Sequence, residues 1–352
     1  MQSEDKAGQN DKRARRPAMR ILAKFVAMIV VWILVAVVTG EVLCRMTGLG
    51  SWIVYTKGLY QAARNPKLAT EFTPGFDGRS YGTRVKINRL GFRGEEVEST
   101  PSNGTFRIAC VGDSFTFGMG VDGFDAWPAA LAKRLLPPPG FDRVEVINAG
   151  VPGYNLQQVV ESIRTKIRSL APHVIVVGLV GNDLEPAFEV VDGYLCVPRK
   201  VHALPIPGKR WFQTHSYFYQ FMAFKYGQMV ARAVGEERMQ TPRDSALQRQ
   251  MKTAAQDNVT SLTVLIDELR SVGIPVVFAN LGIPAESPLA GIGKDAGASS
   301  VSVPLDLKEI IPDGHPDKRG HARIAEQVAD VLAGSTPVQG PPIPAKALCR
   351  RR

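Results

Sequence analysis

The pattern of apolar and polar positions divides the chain into stretches of different character. From Ile21 to Leu43 it reads ILAKFVAMIVVWILVAVVTGEVL, with only Lys24 and Glu41 charged and both near the ends. At about 1.5 Å per residue such a helix reaches roughly 34 Å, enough to cross a hydrocarbon core. Charges near the ends of the run can snorkel toward head groups. A buried helix of a soluble domain is disfavoured by the unbroken run Phe25–Gly40 and its basic flank. A cleaved leader is disfavoured by the length of the run and by the lack of a clean A-x-A site after it. Cys44 is a poor lipidation site, because Leu43 precedes it where a small residue is needed. The expectation is a single-pass anchor over 21–43. Basic residues before the span (Lys12, Arg13, Arg15, Arg16, Arg20) outnumber those just after it (Arg45, Lys57). The amino terminus is therefore expected in the cytoplasm, as a disordered tail over 1–20, with the rest of the chain outside it.

Residues 44–104 mix aromatic and glycine-rich pieces. Alternation of Val85 and Ile87 predicts a short strand, and Asn88 to Gly94 a turn, in an arm that ends in a linker at Ser99–Gly104. From Thr105 the pattern settles into alternating strands and helices. Strands are predicted at Phe106–Val111, Val144–Ile147, Val174–Leu179, Pro275–Leu281 and Val301–Val303. Helices are predicted at Trp127–Leu136, Leu156–Leu170, about Met251–Val272 and Lys318–Leu332. The wholly apolar third strand must be buried on both faces, and the βαβα succession implies α/β architecture: a parallel sheet of about five strands between two helical layers. The interval 185–250 breaks the rhythm with prolines and an aromatic stretch (Trp211, Phe212, Tyr217, Phe218, Tyr219, Phe221). It is a candidate insertion or lid on a domain spanning 105–334. A proline-rich, basic tail over 335–352 ends the chain.

The composition, 45% hydrophobic and 22% charged, is that of a globular protein, so the net charge of +10 matters only once it is located. Much of it sits in the two tails, at residues 12–20 and 350–352, which argues against a nucleic-acid-binding face. Four cysteines, at 44, 110, 196 and 349, form no C-x-x-C, and five histidines form no H-E-x-x-H. Neither a disulfide framework, a zinc knuckle nor a zincin site is indicated.

Candidate chemistry begins where the first strand runs into Gly112-Asp113-Ser114. A serine at the carboxyl end of a central strand stands where α/β sheets present reacting groups. To act as a nucleophile it needs a base, donors for a developing oxyanion, and small neighbours that let a carbonyl approach. After the second strand comes Asn148-Ala149-Gly150-Val151-Pro152-Gly153-Tyr154-Asn155, and after the third Gly181-Asn182-Asp183. Before the last helix comes Asp313-Gly314-His315-Pro316-Asp317. All four segments lie on loops that one sheet edge can gather. Asp113 and Asp183 read as hydrogen-bonding residues of their loops, and His321, with no acid two or three residues before it, as a structural residue of the last helix.

These four blocks, in this order over roughly 105–333, resemble those of the SGNH (GDSL-type) hydrolase superfamily. The phrase INRLGFRGEE at 87–96 is similar to one in membrane-anchored bacterial members. The resemblance implies a flavodoxin-like three-layer α/β/α fold, with Ser114 as nucleophile and His315 as general base. Oxyanion donors would be the Ser114 and Gly153 backbone N–H groups and the Asn182 side chain. No metal or organic cofactor is implied. The chain departs from the pattern twice. Val180 stands where the third block commonly has glycine, with Gly181 next to it. Pro312 stands where the fourth block commonly has its acid, which leaves Asp313, two residues before the histidine, to orient His315. A Ser–His dyad with a backbone carbonyl partner is the alternative.

The expected function is that of a membrane-anchored serine esterase cleaving acyl or acetyl esters through an acyl-enzyme. Its partners are an ester substrate (lipid, glycan or small acyl ester) and the membrane through 21–43, with no nucleic acid. The alternatives are an O-acyltransferase acting on an exported polysaccharide and a non-catalytic binding protein on the same fold.

Overall fold

A computed structural model describes residues 2–50, 58–184, 189–191, 194–196, 208, 211–212, 215–234, 245–283, 287, 289–295, 298–311 and 314–335. The expectations for Asp313, for much of 185–250 and for the tail beyond 335 fall outside these residues.

Helix α1 runs from Gln2 to Thr47. The basic segment expected to be disordered thus continues the helix, since extending an existing helix adds one hydrogen bond per residue without a new nucleation cost. Within it, Arg20–Thr47 is the one stretch among the described residues long and apolar enough to cross a membrane. Its apolar side chains, Trp32 among them, are exposed.

Two small antiparallel hairpins follow, β1 (Tyr60–Ala62) with β2 (Thr70–Phe72) and β3 (Asp77–Ser80) with β4 (Thr83–Lys86). The turn after β4 is organised by Asn88. Its Oδ1 accepts from the Leu90 and Phe92 N–H groups, both at 3.0 Å, and its Nδ2 donates to the Glu95 carbonyl at 3.0 Å.

The main sheet is built from β5 (Thr105–Gly112), β6 (Arg143–Gly150), β7 (Val174–Leu179), β10 (Val276–Leu281) and β11 (Ser299–Val303), all parallel. A separate pair, β8 (Glu189–Val191) and β9 (Tyr194–Cys196), lies between β7 and β10 in the chain. Across the main sheet the order is β6-β5-β7-β10-β11, that is 2-1-3-4-5, the doubly wound order of flavodoxin-like folds. Intervening helices are α2 (Ser114–Phe117), α3 (Trp127–Arg134), α4 (Leu156–Ser162), α5 (Tyr217–Val234), α6 (Ser245–Ser271), α7 (Ile292–Asp295) and α8 (Lys318–Ser335).

The period-2 pattern of the strands fills two separate cores. Ile108, Cys110, Val174, Val176, Val277 and Ala279 face α3 and α8, where Trp127, Leu131, Ile324 and Val328 are buried. Ala109, Val111, Ile175, Val177 and Phe278 face α4 and α6, through Val159, Leu262 and Leu269. Leu59, Tyr60, Leu68, Phe72, Tyr81, Val85 and Ile87 of the preceding hairpins enter this second core. Those hairpins are built into one helical layer of the sheet.

Candidate active site

Parallel register decides which loops meet. Gly112 at the end of β5 pairs with Gly150 at the end of β6, and Val111 pairs with Val177 of β7. The chain leaving β5 is therefore flanked by the Gly153 loop on one side and the Asn182 loop on the other. Ser114 opens α2, whose N-cap is Asp113: the Asp113 Oδ1 accepts from the Phe115 N–H at 2.9 Å. The short helix lies directly on the strand ends. A Cβ at Gly150 would run into the backbone of Thr116 and Phe117, and one at Gly178 into the Thr116 hydroxyl. These glycines are the small-residue floor on which the turn carrying Ser114 rests.

His315 is carried by a turn closed by a hydrogen bond from the Ile311 N–H to the His315 carbonyl at 2.8 Å. Its Nε2 lies 2.8 Å from the Ser114 Oγ, and its ring stands 5.2 Å from that of Phe115. Ser114 Oγ also lies 3.1 Å from the Asp113 Oδ2. One hydroxyl proton cannot serve two acceptors, and the shorter separation is to the imidazole. Ser114 itself is buried, while His315 is half-buried.

Beneath the site lie two buried carboxyls. Burial pushes Asp113 up, against the pull of the Phe115 N–H and of His315. Burial and the neighbouring Asp113 charge push Asp183 well above the usual carboxylate range. Asp113 accepts from the Phe115 N–H at 2.9 Å, and the Asp183 Oδ2 from the Val180 N–H at 2.8 Å. The Val180–Asp183 bond closes the turn Gly181–Leu184, which holds Asn182 exposed at the sheet edge. Val180, at the position where glycine was expected, is buried in the core shared with α3 and α8. Gly153 has φ +82°, a conformation that costs a glycine little, in the turn that begins with the Val151 N–H bonded to the Gly112 carbonyl at 2.9 Å.

Sequence reasoning passed over Arg93. Its side chain is buried, donating through Nη1 to the Phe117 carbonyl at 2.7 Å and the Gly118 carbonyl at 2.6 Å, and through Nη2 to the Val121 carbonyl at 2.7 Å. The guanidinium also lies 4.3 Å from the centre of the Phe117 ring. Burial pushes it down to about 10, so it stays a cation at neutral pH. It clamps the carboxyl end of the helix that Ser114 begins. Its signal was present in the phrase INRLGFRGEE, but nothing local in that phrase points to α2.

His321 is fully buried and its Nδ1 accepts from the Trp127 N–H at 3.2 Å, tying α8 to α3. Asp317 caps α8 through the Arg319 and Gly320 N–H groups. Both are committed to structure. A cavity of about 720 Å³ opens elsewhere, along β6, with Arg93, Gly94, Phe124, Lys133 and Val146 in its wall. Neither Ser114 nor His315 lines it.

The pattern of the GDSL-like Lipase/Acylhydrolase family matches residues 110–333, which is well over half of the chain. No curated protein sequence matches it. Among solved structures, the psychrotrophic esterase EstA from Pseudoalteromonas sp. is similar with 14% identity and a TM-score of 0.38, over 65% of this chain and 97% of that one. A catalytic mutant of Axe2, an acetylxylan esterase from Geobacillus stearothermophilus, is similar with 12% identity and a TM-score of 0.36, over 63% of this chain and 91% of that one.

Proposed function

Because the chain belongs to the GDSL-like lipase/acylhydrolase family, we propose that it is a serine esterase held at a membrane by residues 21–43, with its catalytic unit in 105–334. The observation that carries the reading is the 2.8 Å separation of the Ser114 Oγ and the His315 Nε2. That distance lets an unprotonated Nε2 take the hydroxyl proton as Oγ attacks an ester carbonyl.

In this mechanism the carbonyl oxygen gains charge in the tetrahedral intermediate, and the N–H groups of Ser114 and Gly153 and the Asn182 amide are assigned to receive it. His315, now an imidazolium, returns the proton to the departing alcohol oxygen, which leaves an acyl-enzyme on Ser114. A water activated by His315 then releases the acid and regenerates the hydroxyl. Asp313 is assigned to hold the far ring nitrogen of His315.

Residues 21–43 would place this chemistry on the outer face of a cytoplasmic membrane, where esters of the envelope (lipids or O-acylated glycans) are the accessible substrates. The decisive test is labelling of the full chain in detergent with a fluorophosphonate probe, followed by hydrolysis rates on esters of increasing acyl length. Labelling of wild type and none of Ser114→Ala is the expected result. Absence of labelling in wild type, with the protein folded, overturns the reading. Rates compared with and without a glycan acceptor separate hydrolysis from acyl transfer.

A further inference from the structure

The end of α1 and the start of α5 are joined by a set of contacts that the chemistry at Ser114 does not use. Glu41, at the outer edge of the apolar run, caps α5 from another helix. Its Oε1 accepts from the Tyr217 N–H at 3.3 Å and its Oε2 from the Phe218 N–H at 3.0 Å. Ser216 donates its hydroxyl to the Glu41 Oε2 at 2.8 Å and accepts the Tyr219 N–H at 3.0 Å. Three of the four N–H groups that a helix start leaves without intrahelical partners are thus answered, two of them by a carboxylate at the favourable end of the helix dipole. Arg45, bonded to Glu41 at 2.7 Å, donates to the His215 carbonyl at 2.8 Å and lies 4.9 Å from the Tyr217 ring centre. Gly40 admits the Phe218 ring so closely that a Cβ there would lie 2.7 Å from it.

Taking α1 as a retained span, as the proposed function does, these bonds fix the depth of everything they touch. Gly40 and Glu41 lie where the apolar run meets the head groups, so His215, Ser216, Tyr217 and Phe218, which they and Arg45 touch, are held at that boundary, and Met222 and Tyr226 follow about one and two turns further along α5. What this segment exposes is unlike an ordinary soluble surface. Trp211 is 58% exposed, Phe212 39%, Met222 49% and Tyr226 60%, with Lys225 exposed beside them. Met222 and Tyr226 are four residues apart on α5 and so share one face. Trp, Tyr and Lys beside large apolar side chains are the residues that partition into a membrane–water interface, where an apolar body and a polar tip are both satisfied.

We infer that the exposed side chains of Trp211, Phe212, Met222, Lys225 and Tyr226 form a lipid-binding face that lies in the head-group layer of the bilayer crossed by α1, held there by the Glu41 cap. The occupant of the exposed aromatic face is the lipid surface, and α1 with α5 makes a two-point attachment in place of a single flexible tether.

The test uses the full chain in phosphatidylcholine/phosphatidylglycerol vesicles. Met222→Cys and Tyr226→Cys, each in a Cys196→Ser/Cys349→Ser background, carry an NBD label. Quenching is read from lipids with a doxyl group at carbon 5 or carbon 12, and from aqueous iodide. The expected result is quenching at least twofold stronger from the shallow doxyl group than from the deep one, with the label shielded from iodide. Glu41→Ala is expected to cut the doxyl quenching at residue 226 by half or more. A label quenched by iodide and untouched by doxyl lipid, in a chain that resists carbonate extraction, overturns this proposal and leaves the anchor intact. Release of the chain by carbonate overturns the anchor and this proposal with it. Unchanged quenching in Glu41→Ala overturns the role given to the cap.

Discussion

The His315 Nε2 lies 2.8 Å from the Ser114 Oγ, although 201 positions separate the two residues in the chain. In the proposed mechanism Ser114→Ala removes the attacking atom, and it is expected to abolish turnover. His315→Ala leaves the hydroxyl without its proton acceptor and is expected to lower kcat by roughly 10⁴-fold or more. Initial rates on a short-chain nitrophenyl ester check both. Because the two act as one unit, the double variant should be no worse than the poorer single one, and an additive loss would separate their roles.

Asn182 is exposed at the end of β7 and makes no contribution to either core. Asn182→Ala is therefore expected to leave the melting temperature unchanged while lowering kcat by about 10²–10³-fold, the usual cost of one oxyanion donor, with KM little altered. A fall in stability of the same size as the fall in activity would mean that the residue is structural.

Arg93 brings three carbonyls around one buried cation. Arg93→Met keeps volume and removes every donor, leaving the carbonyls of Phe117, Gly118 and Val121 without this partner. The expected loss is about 2–4 kcal/mol in urea unfolding, accompanied by a drop in kcat as the helix begun by Ser114 loosens. Arg93→Lys cannot span the three acceptors and should restore only part of the loss. Full stability in the Met variant would show that solvent or neighbouring groups replace the clamp.

His321 supplies a pH dependence that is separate from catalysis. Burial, reinforced by the Arg93 charge, pulls its imidazole down to about 3 from an ordinary 6.5. The folded state thus holds it neutral where the unfolded chain takes up a proton. Its contribution is whole above pH 6.5 and is lost as pH falls toward 3, by at most roughly 1.4 kcal/mol per pH unit. His321→Asn, which retains an acceptor for the Trp127 N–H, is expected to be less stable at pH 8 but to lose less stability between pH 6.5 and 4. Chemical denaturation across that range reads the slope, and parallel slopes for the two proteins would rule the effect out.

How much of this was legible in the chain follows from which interactions are local. The apolar runs that became β5, β7 and β10 are each long and uninterrupted enough to be read directly, and the span Arg20–Thr47 contains the expected 21–43 run. Ser114 and His315, singled out from the first and last of the four blocks, are brought within hydrogen-bonding distance. Where strand ends moved they did so by one to three residues, β6 running on to Gly150 and the last strand reaching back to Ser299, because pairing with the neighbouring strand rather than local propensity decides where a strand starts and stops.

The amino-acid sequence by itself determined the βαβα succession, the apolar span and the residue types able to attack an ester, since each rests on periodicity or composition within a few turns of chain. Only the tertiary structure decided which of those residues meet. Parallel register brought the chain leaving β5 between the loops of β6 and β7. The turn closed by Ile311 and His315 brought the imidazole to the hydroxyl. Burial without a carboxylate in hydrogen-bonding contact turned Arg93 into a clamp, and the end of one helix placed Glu41 at the start of another. These are contacts between residues tens to hundreds of positions apart, and no local preference encodes a distance that the packing of two cores sets.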